Sequence, residues 1–324
     1  MHPAQPASIA RRTLLGSMLA TPALAQANWP DRPIRWIINF PPGGAADILS
    51  RILAEHFGAR FGQPIVVENR PGAGGMVGAD IVAKARGDAH TVMISSASSH
   101  GIGPVLYRSV PYDPLADFTH VHLVGSFPSV LAVNGSSPIQ DFAGFMAAAR
   151  PGGMTYATGG NGTMNHLVGQ LLKQEGRVEL THVPYRGSAA AMTDVMAGQV
   201  PAVMESLPTA MGHFRGGRLK PIAQSEEARD STLPEVPTFR ELGLPGVTSS
   251  NWFGFSIASG VPAAVVERWE GAMKEALAAP MVQQRFAAIG VRPGTLGPAA
   301  YTALITSELD RWRQVIRANN IQAD

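Results

Sequence analysis

"IRWIINFPPGGAADILSRILAEHFGARF" (residues 34–61) changes its repeat half-way, and that change decides the architecture. Residues 34 to 40 are a β-type run of branched and aromatic side chains. After the loop, Ile48, Leu49, Ile52, Leu53, Phe57 and Phe61 recur at helical spacing. The prolines and glycines between them allow no regular structure, so the segment reads as strand, tight loop, helix. In "FPPGGAAD" (40–47) the glycines let backbone N–H groups approach a ligand. The helix start adds free N–H groups and a positive dipole end, which suit a small anion. Many turns of this kind bind nothing, so the pattern leaves both readings open.

The same order repeats along the chain. "PIVVEN" (64–69) is a second strand, followed by "RPGAGGMVGADIVAKA", a glycine-rich turn leading into a helix. "HTVMISSASS" (90–99) is a third strand that ends in small hydroxyl residues. Strands alternating with helices predict a parallel or mixed sheet covered on both faces. Ligands of such sheets bind beyond the carboxyl ends of the strands. The three loops are therefore expected at one shared edge.

"HVHLVGSFPSVLAVN" (120–134) is long for one strand and holds Pro128 inside it, which predicts a bent segment passing between lobes. A second series follows in "MTYATGGNGTMNHLVGQLLKQEG", "LTHVPYRGSAAAMTDVMAGQ" and "VPAVMESLPTA". "NWFGFSIASG" (251–260) reads as the return strand, and amphipathic helices are expected near 262–278, 281–289 and 298–318. The result is two α/β lobes with the chain crossing between them more than once. Lobe 1 is expected from 28–127 and 253–324, and lobe 2 from 128–252.

At 324 residues and 45% hydrophobic content the chain exceeds a typical single domain of about 100 to 200 residues. Residues 1–27 read as an export signal. Arg11 and Arg12 precede a short apolar stretch, and Ala25-Gln26-Ala27 has the form of a cleavage site. The adjacent arginines followed by Thr13, Leu14 and Leu15 suit a twin-arginine route, and an ordinary secretory route fits as well. Removing this segment takes away two arginines and no acid, so the formal charge falls from +2 to 0. That balance leaves no nucleic-acid footprint. With no cysteine, disulfides, thiolate nucleophiles and thiolate metal sites are excluded.

Several motifs invite chemistry. "GAGGMVG" (72–78) approaches a dinucleotide fingerprint, but the acid expected after the next strand is replaced by Ser95 and Ser96, so no nucleotide cofactor is expected. "TGGNGT" (158–163) sets Asn161 and Thr163 at a helix entrance, as caps or as ligand donors. No P-loop lysine follows. There is no G-x-S-x-G or H-E-x-x-H motif, and His120 with His122 lacks a third metal ligand, so no catalytic or metal residues are assigned. Asp47 has two readings. In the first helical turn it stabilises the dipole and sits four residues before Arg51. Alternatively, its carboxylate faces a ligand ammonium or hydroxyl.

Six separated segments carry a further signal: "RPIRWIINFPPGGAADILSR" with Trp29-Pro30 before it, "VVENRPGAGGMVGADIVAKA", "TYATGGNGTMNHLVGQLL", "HVPYRGSAAAMTDVMAGQV" and "NWFGF". In this order they resemble the Bug-type extracytoplasmic solute receptors, the substrate-binding components of tripartite tricarboxylate transporters. The resemblance implies a two-lobed, type II periplasmic-binding (Venus flytrap) α/β fold. It implies capture of a small carboxylate such as a di- or tricarboxylate, an acidic amino acid or an aromatic acid, and delivery to membrane transporter subunits. It also implies a periplasmic location, a monomer, and no cofactor. Carried residue by residue, it implies a cleft lined by Gly43, Gly44, Ala45 and Asp47, by Ser96, Ala97 and Ser98, and by Asn161, Gly162 and Thr163. Tyr185, Gly187, Ser206 and Trp252 complete that set. The chain departs from the family pattern at "RGDAHT", at "ASGVP", and at Glu205-Ser206, where an Asp-Asn pair is common. The last change bears on ligand choice. Two other classes remain: an exported enzyme using Asp47 with His100 or His166, and a sensor that signals to a membrane kinase.

Overall fold

The computed structural model describes residues 29–322. The expected export segment at 1–27 lies outside them.

β1 (Ile34–Ile38) ends before the proline-glycine loop, and α1 (Ala45–Phe61) starts after it. Leu49, Ile52, Leu53 and Phe57 of α1 are buried, because positions three or four apart form one helical stripe. Phe57 meets the rings of Trp36 and Trp269 at 5.7 and 5.3 Å between centroids. Each such side chain, fully buried, contributes about 1.5 to 3 kcal/mol. Phe57→Ala would leave a void costing about 3 to 5 kcal/mol. The helix stops at Gly62, whose φ of 64° lies in the left-handed region and whose N–H bonds to Gly58 O at 3.0 Å.

β2 (Ile65–Asn69) and β3 (Thr91–Ser96) run parallel to β1 on either side of it. Beyond β3 the sheet continues with β10 (Asn251–Ala258), β4 (Phe118–Phe127) and the short β11 (Arg292–Pro293), in antiparallel pairing. The loops after β1, β2 and β3 therefore share one edge. α2 (Met76–Ala83) follows the second loop. A π-helical turn (Ala97–Ile102) leading into α3 (Gly103–Leu106) follows the third. α8 (Ala263–Ala278) and α9 (Pro280–Ala287) pack beside α1 over the same aromatic core.

The expected bent segment is two strands in two sheets. β4 ends in the first sheet at Phe127, Pro128 turns the chain, and β5 (Ser129–Asn134) opens the second. That sheet runs β7 (Leu180–Pro184), β6 (Met154–Thr158), β8 (Ala202–Ser206), β5 and β9 (Leu219–Gln224). It carries α4 (Phe142–Ala149), α5 (Met164–Glu175), α6 (Ser188–Met196) and α7 (Leu207–Arg215). β9 and α4 were not expected from the sequence. After β9 the chain returns through residues 225–250 to β10.

α10 (Pro298–Ala318) belongs by sequence to the first lobe but touches both. Tyr301, Ile305 and Trp312 share one buried cluster with Leu167 and Leu171 of α5. Arg311 Nη2 donates to Thr248 O at 2.7 Å, and Gln174 Nε2 donates to Asn319 O at 3.4 Å just past the end of α10. Among the described residues, no helix is long and apolar enough to cross a membrane.

Candidate functional site

A cavity of about 50 Å³ lies between the two sheets and opens into a vestibule of about 350 Å³. The first lobe lines the cavity with Phe40, Pro41, Gly44, Ala45, Ala46, Ser98, Phe253 and Asn251, which joins the first sheet as the start of β10 instead of lying in the second lobe as expected. The second lobe brings Gly159, Thr163, Met164, Asn165, Gly187, Ser188, Glu205, Ser206 and Thr209. The vestibule is bordered by Pro71 to Gly75, Tyr107, Asn161, Tyr185 and Arg186.

The walls are helix entrances. Gly44, Thr163, Gly187 and Ser206 are the N-caps of α1, α5, α6 and α7, and all four line the cavity. Only Thr163 bonds its own helix through its side chain, accepting from His166 N. The other three helices start without a side-chain cap. Their first N–H groups and dipole ends converge on one space, which favours negative charge. No lysine, arginine or histidine side chain lines the inner cavity among the described residues.

The lobes touch across this space. Met164 N donates to Ser98 Oγ at 3.2 Å, Asn251 Nδ2 to Ser206 Oγ at 3.3 Å, and Tyr107 OH to Asn161 O at 3.3 Å. Gly187, at a φ of 120°, lies against Pro41: a Cβ there would sit 2.9 Å from Pro41 Cγ. The jaws meet where a side chain would hold them apart.

One network ties the second-lobe wall together. Ser129 Oγ donates to Asn165 Oδ1 at 2.7 Å, and Asn165 Nδ2 reaches Glu205 Oε1 at 3.2 Å and Ser206 Oγ at 3.3 Å. Glu205 Oε1 also accepts Ser206 N–H at 2.7 Å. Among the described residues, Oε2 of this fully buried carboxylate has no hydrogen-bond partner. Burial pushes the Glu205 pKa up to about 7, against the opposing pull of Ser206 N–H, Asn165 and the Ser188 hydroxyl, which stays outside hydrogen-bonding geometry.

The residues singled out in the sequence divide into three groups. Gly44, Ala45, Ser98, Thr163, Gly187 and Ser206 line the cavity, while Asn161 and Tyr185 line the vestibule, with Gly162 beside Asn161. Gly43, Asp47, Ser96, Ala97 and Trp252 line neither. Asp47 turns back into its own lobe, where it accepts from Gly43 N, Arg51 Nε and Asn69 Nδ2, each at 3.0 Å. Burial raises its pKa, but the bonds from Arg51, Gly43 and Asn69 outweigh that and hold it below the usual carboxylate value. Ser96 Oγ is engaged with Ser99, and Trp252 packs edge-on against Tyr301.

Neither Asp47 nor either histidine of the enzyme reading lines the cavity. His100 is fully buried against Ser99 and the Phe118 ring, and burial keeps it neutral. His166 stacks on His182 at 4.2 Å. Asn165, Ser188, Glu205, Thr209 and Asn251 were not picked out as cavity residues. Asn165 follows "TGGNGT" by two positions and Glu205 precedes Ser206, so adjacency to glycine-rich or hydroxyl-ended loops was the available signal.

Residues 49–321 match the model of the tripartite tricarboxylate transporter family receptor. The chain belongs to this family. The receptor is 34% identical to Protein BugT of Bordetella pertussis, over 94% of its own length and 95% of the relative's. Rpa4515 of R. palustris, solved with adipate, superposes with a TM-score of 0.87 at 30% identity, covering 91% of the receptor and 99% of that chain. MatC from Rhodopseudomonas palustris, with bound malate, gives 0.83 at 29% identity, covering 89% and 100%. The two-lobed architecture is thus that of periplasmic binding proteins.

Proposed function

We propose that the receptor is exported to the periplasm, closes as a single chain on a small carboxylate, and delivers it to a tripartite membrane transporter. The observation that carries this reading is the convergence of four helix N-termini, three without side-chain caps, on an inner cavity that no cationic side chain lines among the described residues. Backbone N–H groups and dipole ends hold an anion without a counter-cation. Adipate and malate in the two structural relatives support a dicarboxylate as the first ligand to try. A ligand touching both walls stabilises the closed arrangement of the lobes.

A thermal-shift screen tests this. Adipate, malate, citrate, acidic amino acids and aromatic acids go in one arm, and sugars and divalent metals in the other. A matching carboxylate at 100 times its dissociation constant adds about 2.7 kcal/mol and raises the melting temperature by several degrees. Silence from every carboxylate together with a shift from a sugar or metal would reject the assignment.

A further inference from the structure

Glu205 is the one ionisable side chain lining the inner cavity among the described residues, and nothing cationic faces it. Its neighbours are neutral: Asn165 from α5, Ser188 from α6, Ser206 beside it on β8, and Ala45, Ala46, Ser98 and Asn251 across the cleft. Ionisable groups on the packed elements are engaged elsewhere. Asp47 of α1 pairs with Arg51, His166 of α5 stacks on His182, Asp194 of α6 accepts from Tyr185, and Glu226 after β9 pairs with Arg292. His213 and Arg215 sit in the last turn of α7, at the opposite end from its N-cap Ser206. Burial and hydrogen bonds, not a neighbouring charge, dominate the proton affinity of Glu205.

The two oxygens of the carboxyl are not equivalent. Oε1 accepts from two N–H donors, Ser206 N and Asn165 Nδ2, so it is held as an acceptor. Oε2 has no partner among the described residues and is the atom left to carry a proton. An anionic ligand admitted beside an ionised, unpaired carboxylate in a low-dielectric space would meet repulsion that no nearby cation offsets. With a proton on Oε2, the same group is neutral and becomes an O–H donor.

We propose that the receptor captures its carboxylate together with one proton, which Glu205 takes from bulk water onto Oε2 as the anion enters. The O–H bond formed at Oε2 is the only covalent change, and release of the ligand returns the proton. This deepens the carboxylate reading above and rests on it. Burial, which already lifts the group's proton affinity, poises it to respond across the neutral range.

The test is calorimetric titration of the purified receptor with adipate, malate and citrate from pH 6 to 9, in two buffers of different ionisation enthalpy. The expected result is uptake of close to one proton per ligand at pH 8, and about tenfold weaker binding per pH unit above 7. Glu205→Gln keeps an acceptor toward Ser206 N and a donor in place of the protonated oxygen. Its affinity, altered or not at pH 6, should no longer change with pH, and its proton uptake should vanish. Wild-type binding that ignores pH and takes up no proton overturns the proposal while leaving carboxylate capture intact. So does a folded Glu205→Gln that retains the wild-type slope or loses binding at every pH. If the variant does not fold, the wild-type proton count decides alone. If none of the three acids binds at any pH, and the wider acid screen is also silent, the carboxylate reading falls and the proton coupling with it.

Discussion

The first lobe meets the cavity mainly with Phe40, Pro41, Gly44, Ala45 and Ala46, whereas the second meets it with Thr163, Asn165, Ser188, Glu205, Ser206 and Thr209. One wall is backbone and apolar surface, with Ser98 and Asn251 as its polar side chains. The other is a hydrogen-bonded set of side chains. Backbone N–H groups attract any anion of suitable size, while side chains of fixed donor and acceptor character discriminate among them. Three of the four helix N-termini, those of α5, α6 and α7, belong to the second jaw, so attraction for an anion and choice among anions both reside mainly there, while the first jaw closes over the ligand with apolar surface and the N-terminus of α1. The two carboxyl groups follow the same division. Asp47 is tied down with Arg51 behind the first jaw, and Glu205 is left half-unpaired in the second.

Gly187→Val tests this division most severely, because it holds the jaws apart at Pro41. Ligand affinity should fall at least a thousandfold, about 4 kcal/mol, in calorimetry. Small-angle scattering should show the lobes remaining open with ligand present, and retained affinity would mean that closure at Pro41 is not required.

Next in size is the effect of Glu205 on stability. Its raised pKa makes folding cost more as pH rises: the penalty is absent below its unfolded value near 4.5, grows between there and about 7, and is level above that. Glu205→Gln should therefore stabilise the ligand-free receptor by about 3 kcal/mol at pH 8 and by nothing at pH 4. Equal melting curves at pH 8 would show that Glu205 is not burdened by burial.

Asp47→Asn probes the other jaw with the opposite sign. A lowered pKa contributes stability above the unfolded carboxylate value and loses it as pH falls through the folded one. The variant should lose about 1 to 2 kcal/mol of stability at pH 7, as a charge-assisted hydrogen-bond set is weakened. That deficit should vanish in acid, with affinity changed less than about twofold. A larger loss of affinity than of stability would restore the ligand-facing reading of this residue.

The smallest effect belongs to Ser98→Ala, which removes the bond from Met164 N across the cleft. Binding should weaken about two- to tenfold, the worth of one hydrogen bond. No change would place Ser98 outside the closing contacts.

The strand, loop and helix of residues 34–61 were legible because the period shifts from β to helical at one place and glycine marks the end of α1. The crossing at Pro128 was legible as a break in an over-long apolar run, although one bent segment was expected where the chain makes two strands in two sheets. β9 was harder to see. Pro221 lies within it, and a strand with proline survives here at a sheet edge beside a register shift. α4 carried a readable pattern in Phe142, Phe145, Met146 and Ala149, but its short alanine-rich run gave little contrast between faces.

The site was less legible than the fold. β8 is buried along its whole length, so alternation cannot tell whether Glu205 or Ser206 meets the cavity, and in fact both do. In the first turn of α1, Ala46 meets the cavity while its neighbour Asp47 turns away, since one residue is about 100° of helical rotation. Which side of that turn faces the ligand depends on how the lobes dock, and no local pattern records it.

α10 has a consequence for how such a receptor changes over time. Its 21 residues extend about 31 Å, anchored in one lobe and bonded to the other through Arg311 and through Asn319 just beyond its end. Every change of angle between the lobes must slide or strain those contacts. Substitutions along this outer strut can therefore shift the resting balance of open and shut forms, retuning apparent affinity while the recognition surface stays untouched. Selection can adjust how tightly the receptor holds its cargo without first altering which cargo it accepts.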